Sequence, residues 1–238
     1  MFYHHMLRPL ATLLLFGYSQ LMIAGNTTAS EPARSEQLHI GMFSQGSIEG
    51  WKNRSFAGET AYTLVTDPTA GEVLKATSHG AASGLFLERR IDLEQTPWLH
   101  WSWKTEQLFS GIDETQKEGD DFVARLYIVV DGGLIFWNTR ALNYVWSSSH
   151  QRGEHWPNPF TSNATMFAVE SGNKGLGQWQ HYSRNVREDL YRLTGKDVRF
   201  IDAVAIMTDT DNAGLQATTW YGDLFFTAHQ DNRSVLND

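Results

Sequence analysis

Short runs dense in Val, Ile, Tyr, Phe, Trp and Thr recur between turn signals from residue 60 to residue 228, and this recurrence most limits the folds open to the chain. The runs are TAYTLV (60–65), EVLKAT (72–77), GLFLER (84–89), WLHWSWK (98–104), DFVARLYIVV (121–130), RALNYVW (140–146), ATMFAVE (164–170), GQWQHYSRNV (177–186), VRFIDAVAIMTD (198–209) and TTWYGDLFFTA (218–228). Regularly punctuated segments of this length specify antiparallel β structure, closed as a sandwich or barrel. One helix interrupts them, in NVREDLYRLTG. Asn185 stands at its N-cap, Glu188 completes a capping box and Gly195 supplies the stop. The expected fold is all-β, a jelly-roll-like β-sandwich with one short peripheral helix.

With 41% hydrophobic and 13% aromatic residues in 238, a single core can offset the chain entropy, and with zero cysteines it must do so without disulfides. The first 25 residues combine Arg8, an apolar run from Leu10 to Phe16 and small residues at Ala24 and Gly25. That is the pattern of a secretory signal peptide; Leu21, Met22 and Ile23 keep an uncleaved anchor open as the other reading. The expected organisation is a signal peptide (1–25), a flexible linker (26–37), one sandwich domain (38–230) and a disordered tail (231–238). The expected location is periplasmic or secreted, with no stable membrane span after signal cleavage. Twenty-seven acidic against 19 basic side chains give a formal charge of -8, which disfavours nucleic acid as a partner.

Side chains alternate across a strand. In DFVARLYIVV this sets Phe122, Ala124, Leu126, Ile128 and Val130 on one face, and Asp121, Val123, Arg125, Tyr127 and Val129 on the other. Asn143 faces away from Leu142, Tyr144 and Trp146; Tyr182 shares a face with Arg184, and Tyr221 with Asp223. If these strands neighbour one another, Asp121, Arg125, Tyr127, Asn143, Tyr182, Arg184, Tyr221 and Asp223 gather on one open sheet face. Aromatic rings beside Asp, Asn and Arg suit a glycan or another small polar ligand, since sugar C–H faces stack on rings and hydroxyls pair with the polar groups. Trp156 and Phe160, in the long segment 147–163, would supply a rim. Two other readings stay open. One is a glycoside hydrolase or lyase using Asp120, Asp121 or Asp223 as acid or base with Arg125 against a substrate carboxylate. The other is a structural envelope protein in which Arg125 only ties strands together.

IMTDTDNAG (206–214) places Asp209, Asp211 and Asn212 at a strand end, a donor set that would suit a structural Ca²⁺. The loop departs from an EF-hand at Ala213 and Trp220, and an acidic turn also stands without an ion. No other cofactor is expected. His150 and His155 lack zinc-ligand spacing, and no G-x-S-x-G nucleophile elbow occurs.

Several of these stretches also carry a likeness. Trp101-x-Trp103, GDDFVARLY (119–127), LNYVWS (142–147), NPFTSNATMFAVESG (158–172), SRNVREDLYRLTG (183–195), IMTDTDNAG and YGDLFF (221–226) together resemble the bacterial family called domain of unknown function 3047. The likeness runs from about His39 to the end. It implies an exported bacterial protein and supplies no catalytic residues.

Overall fold

The strand β6 (Trp98–Thr105) shows how the pattern becomes structure: Leu99, Trp101 and Trp103 are buried in the core, while His100, Ser102 and Lys104 alternate onto the other face. The computed structural model describes residues 37–130 and 139–230. The expected signal peptide, the tail and all of the linker except Gln37 lie outside the described residues. Among those described, no helix is long and apolar enough to cross a membrane.

Two sheets form the sandwich. In the first, β6 is central. Along one of its edges β13 (Gln216–Tyr221) and β14 (Leu224–Thr227) lie end to end, and along the other runs β11 (Gln180–Asn185). Beyond β13 come β4 (Gly71–His79) and β3 (Ala61–Asp67), and beyond β14 comes β1 (Leu38–Gly41). The second sheet runs β2 (Lys52–Ala57), β5 (Ala82–Asp92), β12 (Phe200–Met207), β7 (Arg125–Val130), β8 (Arg140–Ser147), β10 (Thr161–Ser171), β9 (His155–Asn158). Its pairs are antiparallel except β8 with β10, which are parallel. The main core lies between the sheets. Leu126, Ile128, Leu142, Tyr144, Trp146, Phe167, Val204 and Ile206 meet Leu99, Trp103, Tyr221 and Phe226 there.

All ten sequence runs contain strands, with three differences. The run expected over 121–130 enters the ladder only at Arg125, because the backbone before it is committed elsewhere: the Phe122 carbonyl accepts from Asp209 N (3.1 Å) and the Val123 carbonyl from Thr208 Oγ1 (2.8 Å) and Thr219 Oγ1 (2.6 Å). Alternation therefore fails upstream. Val123 joins the main core and Phe122 leaves it for a separate cluster. Second, TTWYGDLFFTA splits at Gly222, where the backbone passes so close to β6 that a Cβ would sit 2.3 Å from Ser102 Oγ. Third, the long loop read at 147–163 contains β9 and the first residues of β10.

The helix α1 (Val186–Thr194) forms where the caps place it. Asn185 Oδ1 accepts from Glu188 N at 3.1 Å, and Gly195 takes the left-handed conformation, φ 67°, with its N–H on the Tyr191 carbonyl. Val186 and Leu190 are its buried face. Asn185→Ala removes the cap and should cost about 1 kcal/mol, whereas Asn185→Gly should cost only a few tenths. Urea unfolding of both variants checks this; no loss in Asn185→Ala would show that the side-chain bond contributes nothing.

Candidate functional site

The outward face of the second sheet is apolar in two places, and they are treated differently. On β8 and β10, Val145, Met166 and Ala168 alternate away from the main core and would meet water if bare. Phe122 and Trp156 close over them, and the five form a second small cluster. The Trp156 indole donates to the Glu114 carbonyl at 3.2 Å and stacks on His150, with ring centroids 3.8 Å apart. This cover stops short of β2, β5, β12 and β7, where a groove of about 920 Å³ opens.

Alternation builds the floor of that groove. Phe86 projects from β5, Met207 from β12, Tyr127 and Val129 from β7, Ala141 from β8 and Ala164 from β10. Tyr127 lies beside Phe86 with ring centroids 6.2 Å apart, and its hydroxyl reaches Met207 Sδ at 3.4 Å. Arg54 and Phe56 from β2 form one lip. Asn158, Phe160 and Thr161, at the β9–β10 turn, form the opposite one. The Arg54 guanidinium lies 5.1 Å over the Phe86 ring, a cation–π contact.

One end of the groove is charged. β7 and β12 are antiparallel, with Arg125 opposite Met207, so the segment before β7 and the segment after β12 meet at the same place. Arg125 is 5% exposed. Its Nη1 lies 3.2 Å from Asp209 Oδ2 and 3.6 Å from Asp120 Oδ2, its Nε donates to Asn143 Oδ1 at 3.4 Å, and its plane sits 4.7 Å over the Tyr127 ring. Burial works against the charge. Tyr127, Asp120 and Asp209 outweigh it and hold the Arg125 pKa above the usual guanidinium value. Burial likewise pushes Asp209 well above the usual carboxylate range, with Arg125 opposing the rise and Asp120 and Asp121 adding to it. Asp120 and Asp211 are raised too, chiefly by burial.

The remaining bonds hold these carboxylates in place. Asn158 Nδ2 donates to both oxygens of Asp120 at 2.9 Å. Asp121 Oδ1 accepts from Asn212 N (3.1 Å) and Nδ2 (3.2 Å), and Asp121 Oδ2 from Ala213 N (2.7 Å). Asp121, Asp209 and Asp211 each place one carboxylate oxygen within 4.8 Å of the others, the arrangement among the described residues that could hold a metal ion.

Of the residues expected to share one open face, Arg125 and Tyr127 line the groove, Asn143 backs Arg125, and Asp121 lies behind the charged end. The others are elsewhere. Tyr221 belongs to the first sheet and points into the main core, donating to the Met207 carbonyl at 2.7 Å. Tyr182 is buried on β11 and bonds Glu170. Arg184, also on β11, pairs with Asp189 of α1. Asp223 accepts from Ser44 N (2.8 Å) and Ser44 Oγ (2.5 Å), so the trio Asp120, Asp121 and Asp223 is not assembled. Trp156 is a buried cover and no rim, whereas Phe160 does form a lip. Of the metal candidates, Asp209 and Asp211 come together with Asp121. Asn212 turns its amide NH₂ toward Asp121 and Asp211 and acts there as a donor. Sequence reasoning missed Arg54, Phe56, Phe86 and Asn158. For Phe86 the signal was present, since it alternates against Leu85 and Leu87.

Among solved structures, the chain is similar to a family 30 carbohydrate-binding module of a cellulosomal cellulase of Clostridium thermocellum, at 12% identity over 82% of this chain and 99% of that one, TM-score 0.49. It is also similar to the glycoside hydrolase domain of Endo-D from Streptococcus pneumoniae R6, at 10% identity over 75% of this chain and 22% of that one, TM-score 0.41. A family 29 carbohydrate-binding module is similar at 10% identity over 82% of this chain and 90% of that one, TM-score 0.38. No curated protein matches. The family model described as a protein of unknown function, DUF3047, matches residues 49–225 of the 238, and the chain belongs to that family.

Proposed function

We propose that this protein is an exported β-sandwich that binds a carbohydrate, or another polar ligand of similar size, along the groove of the second sheet. The observation that carries the reading is the placement of exposed rings on both lips of a groove whose floor is itself aromatic. Phe56 is 66% exposed and Phe160 54%, and between them lie Phe86 and Tyr127. Single exposed rings need no explanation; rings facing each other across a cavity make an apolar slot. The slot ends at Asp120, Arg125, Asp209 and Asp211, and Arg54 and Asn158 stand along its sides. A pyranose presents apolar C–H faces and a ring of hydroxyls, and both find partners here. The leader-like start of the sequence is the ground for export.

Arg125 ties strand segments together through Asp209 and Asp120, not through Asp121 or Asp223, and this network forms the end wall of the groove, so a structural role and a ligand role are compatible. Hydrolysis would need a pair of carboxylates flanking a bond; Asp223 is committed to Ser44 away from the groove, and the groove's own carboxylates, Asp120, Asp209 and Asp211, lie together at one end of it. Product release from a polysaccharide panel would overturn the reading as a binding protein.

Affinity electrophoresis through gels cast with soluble polysaccharides tests the groove. Phe56→Ala and Phe160→Ala should each weaken retardation about tenfold, the equivalent of ~1.4 kcal/mol for one stacked ring. Tyr191→Ala, an exposed ring on α1, should change nothing; equal binding by all three variants would sink the proposal. A second measurement separates the scaffold from the ligand. Arg125→Leu leaves Asp209 and Asp120 without their counter-charge and should lower stability by about 3–5 kcal/mol in urea. A loss below about 1 kcal/mol would show that the buried network does not hold the fold.

A further inference from the structure

One carboxylate oxygen in the charged end of the groove stands without a donor among the described residues. Asp209 Oδ1 is buried and has no hydrogen-bond partner among the described residues, while its sister Oδ2 is engaged by Arg125. Two other buried side-chain atoms share that condition, Trp101 Nε1 and Ser183 Oγ, but both are neutral and lie in the first sheet. Leaving one oxygen of a carboxylate that is 2% exposed without a donor is costlier than leaving a neutral group so, because the carboxylate is then answered on one side only, by Arg125. The neighbours deepen the imbalance. Asp120 and Asp209 share the single buried guanidinium of Arg125, and Asp121 and Asp211 each bring a further carboxylate oxygen close to Asp209.

We propose that Asp121, Asp209 and Asp211 bind a divalent cation of the Ca²⁺ class at the charged end of the groove. Three carboxylate oxygens within 4.8 Å of one another fit one coordination sphere. An all-carboxylate set suits Ca²⁺, whose flexible coordination takes an irregular group of oxygens more readily than the near-octahedral geometry that Mg²⁺ demands. The ligands are also fixed in advance. Asp121 is held by the backbone of Asn212 and Ala213, and Asp209 by Arg125, so little ordering remains to oppose binding. A three-carboxylate site leaves coordination positions for other oxygens, and Asp209 and Asp211 line the groove, so those positions open toward whatever it binds. The cation site does not rest on the glycan reading, because Ca²⁺ alone is its probe.

The test uses the full chain, stripped with a chelator and titrated with CaCl₂ or MgCl₂, read by calorimetry and by thermal melting. At a free Ca²⁺ concentration 100 times Kd, the melting temperature should rise by roughly 5–10 °C, with a smaller rise for Mg²⁺. Asp211→Asn removes the least buried of the three ligands. It should melt near the parent temperature in chelator and bind Ca²⁺ at least tenfold more weakly. Asp209→Asn provides a second variant with the side-chain shape retained and should show the same weakening. No heat and no melting shift with Ca²⁺, or a shift that persists in both variants, overturns the proposal. A calcium response combined with no polysaccharide binding would leave the cation site standing and remove the glycan reading alone.

Discussion

A guanidinium on the outward face of a strand whose inward face is core has to be answered locally, and the groove sheet is organised around that demand. Arg125 opens β7, directly across from Met207 at the end of β12. Its charge draws Asp209 from the segment after β12 and Asp120 from the segment before β7. Those two segments are then tied to each other by Asp121, which accepts from the backbone of Asn212 and Ala213, and by the Asp209 N–H on the Phe122 carbonyl. Together these bonds turn two loops into one rigid wall. A site on such a wall is positioned more sharply than one on a free loop.

The same wall explains why one half of the sheet is covered and the other open. Drawing residues 120–122 over the sheet sets Phe122 against Met166 and Val145, and Trp156 of β9 completes that cover. Asn158, two residues on, reaches back to Asp120. β9 is therefore held from both sides, by apolar contact and by hydrogen bonds to the charged wall. Its turn into β10 then carries Phe160 out to the lip. The groove is what remains between that lip and β2.

Alternation along single strands was legible in the sequence, and pairing between strands was not. Arg125 and Tyr127 opposite Leu126 and Ile128, or Asn143 opposite Leu142 and Tyr144, follow from a period of two and appear as expected. The same rule states that Tyr221 and Asp223 share a parity but is silent on which sheet receives them and which parity faces inward; Tyr221 went to the first sheet as core, and Asp223 to the break between β13 and β14. Arg184 was drawn off by a helix carboxylate, Asp189, that strand parity cannot anticipate. Trp156 looked like a loop aromatic because HWPN is short and contains Pro157, yet three apolar side chains beneath it required a lid. β2 escaped notice for the opposite reason. KNRSFA is largely exposed and polar, an edge strand without hydrophobic alternation, and so the lip bearing Arg54 and Phe56 left no periodic trace.

The charged end of the groove differs from another polar cluster of the molecule in how its carboxylates are matched. The first sheet carries similar ingredients: Lys104 pairs with Asp67 and lies 5.4 Å over Trp179 and 4.7 Å over Trp220. There Asp67 Oδ1 accepts from Thr69 N, Thr69 Oγ1, Ala70 N and Trp179 Nε1, and Oδ2 takes the lysine. One cation meets one anion, and both carboxylate oxygens are matched. That cluster is closed. Around Arg125 one cation meets two carboxylates, and a buried oxygen of Asp209 is left without a partner among the described residues. A fold can satisfy a charge from its own atoms, as it does at Asp67, and the residues needed to do so at Asp209 are ordinary ones. Without them Asp209 is answered on one side only, whereas Asp67 is answered on both, and this difference in matching distinguishes the groove's charged end from a closed brace.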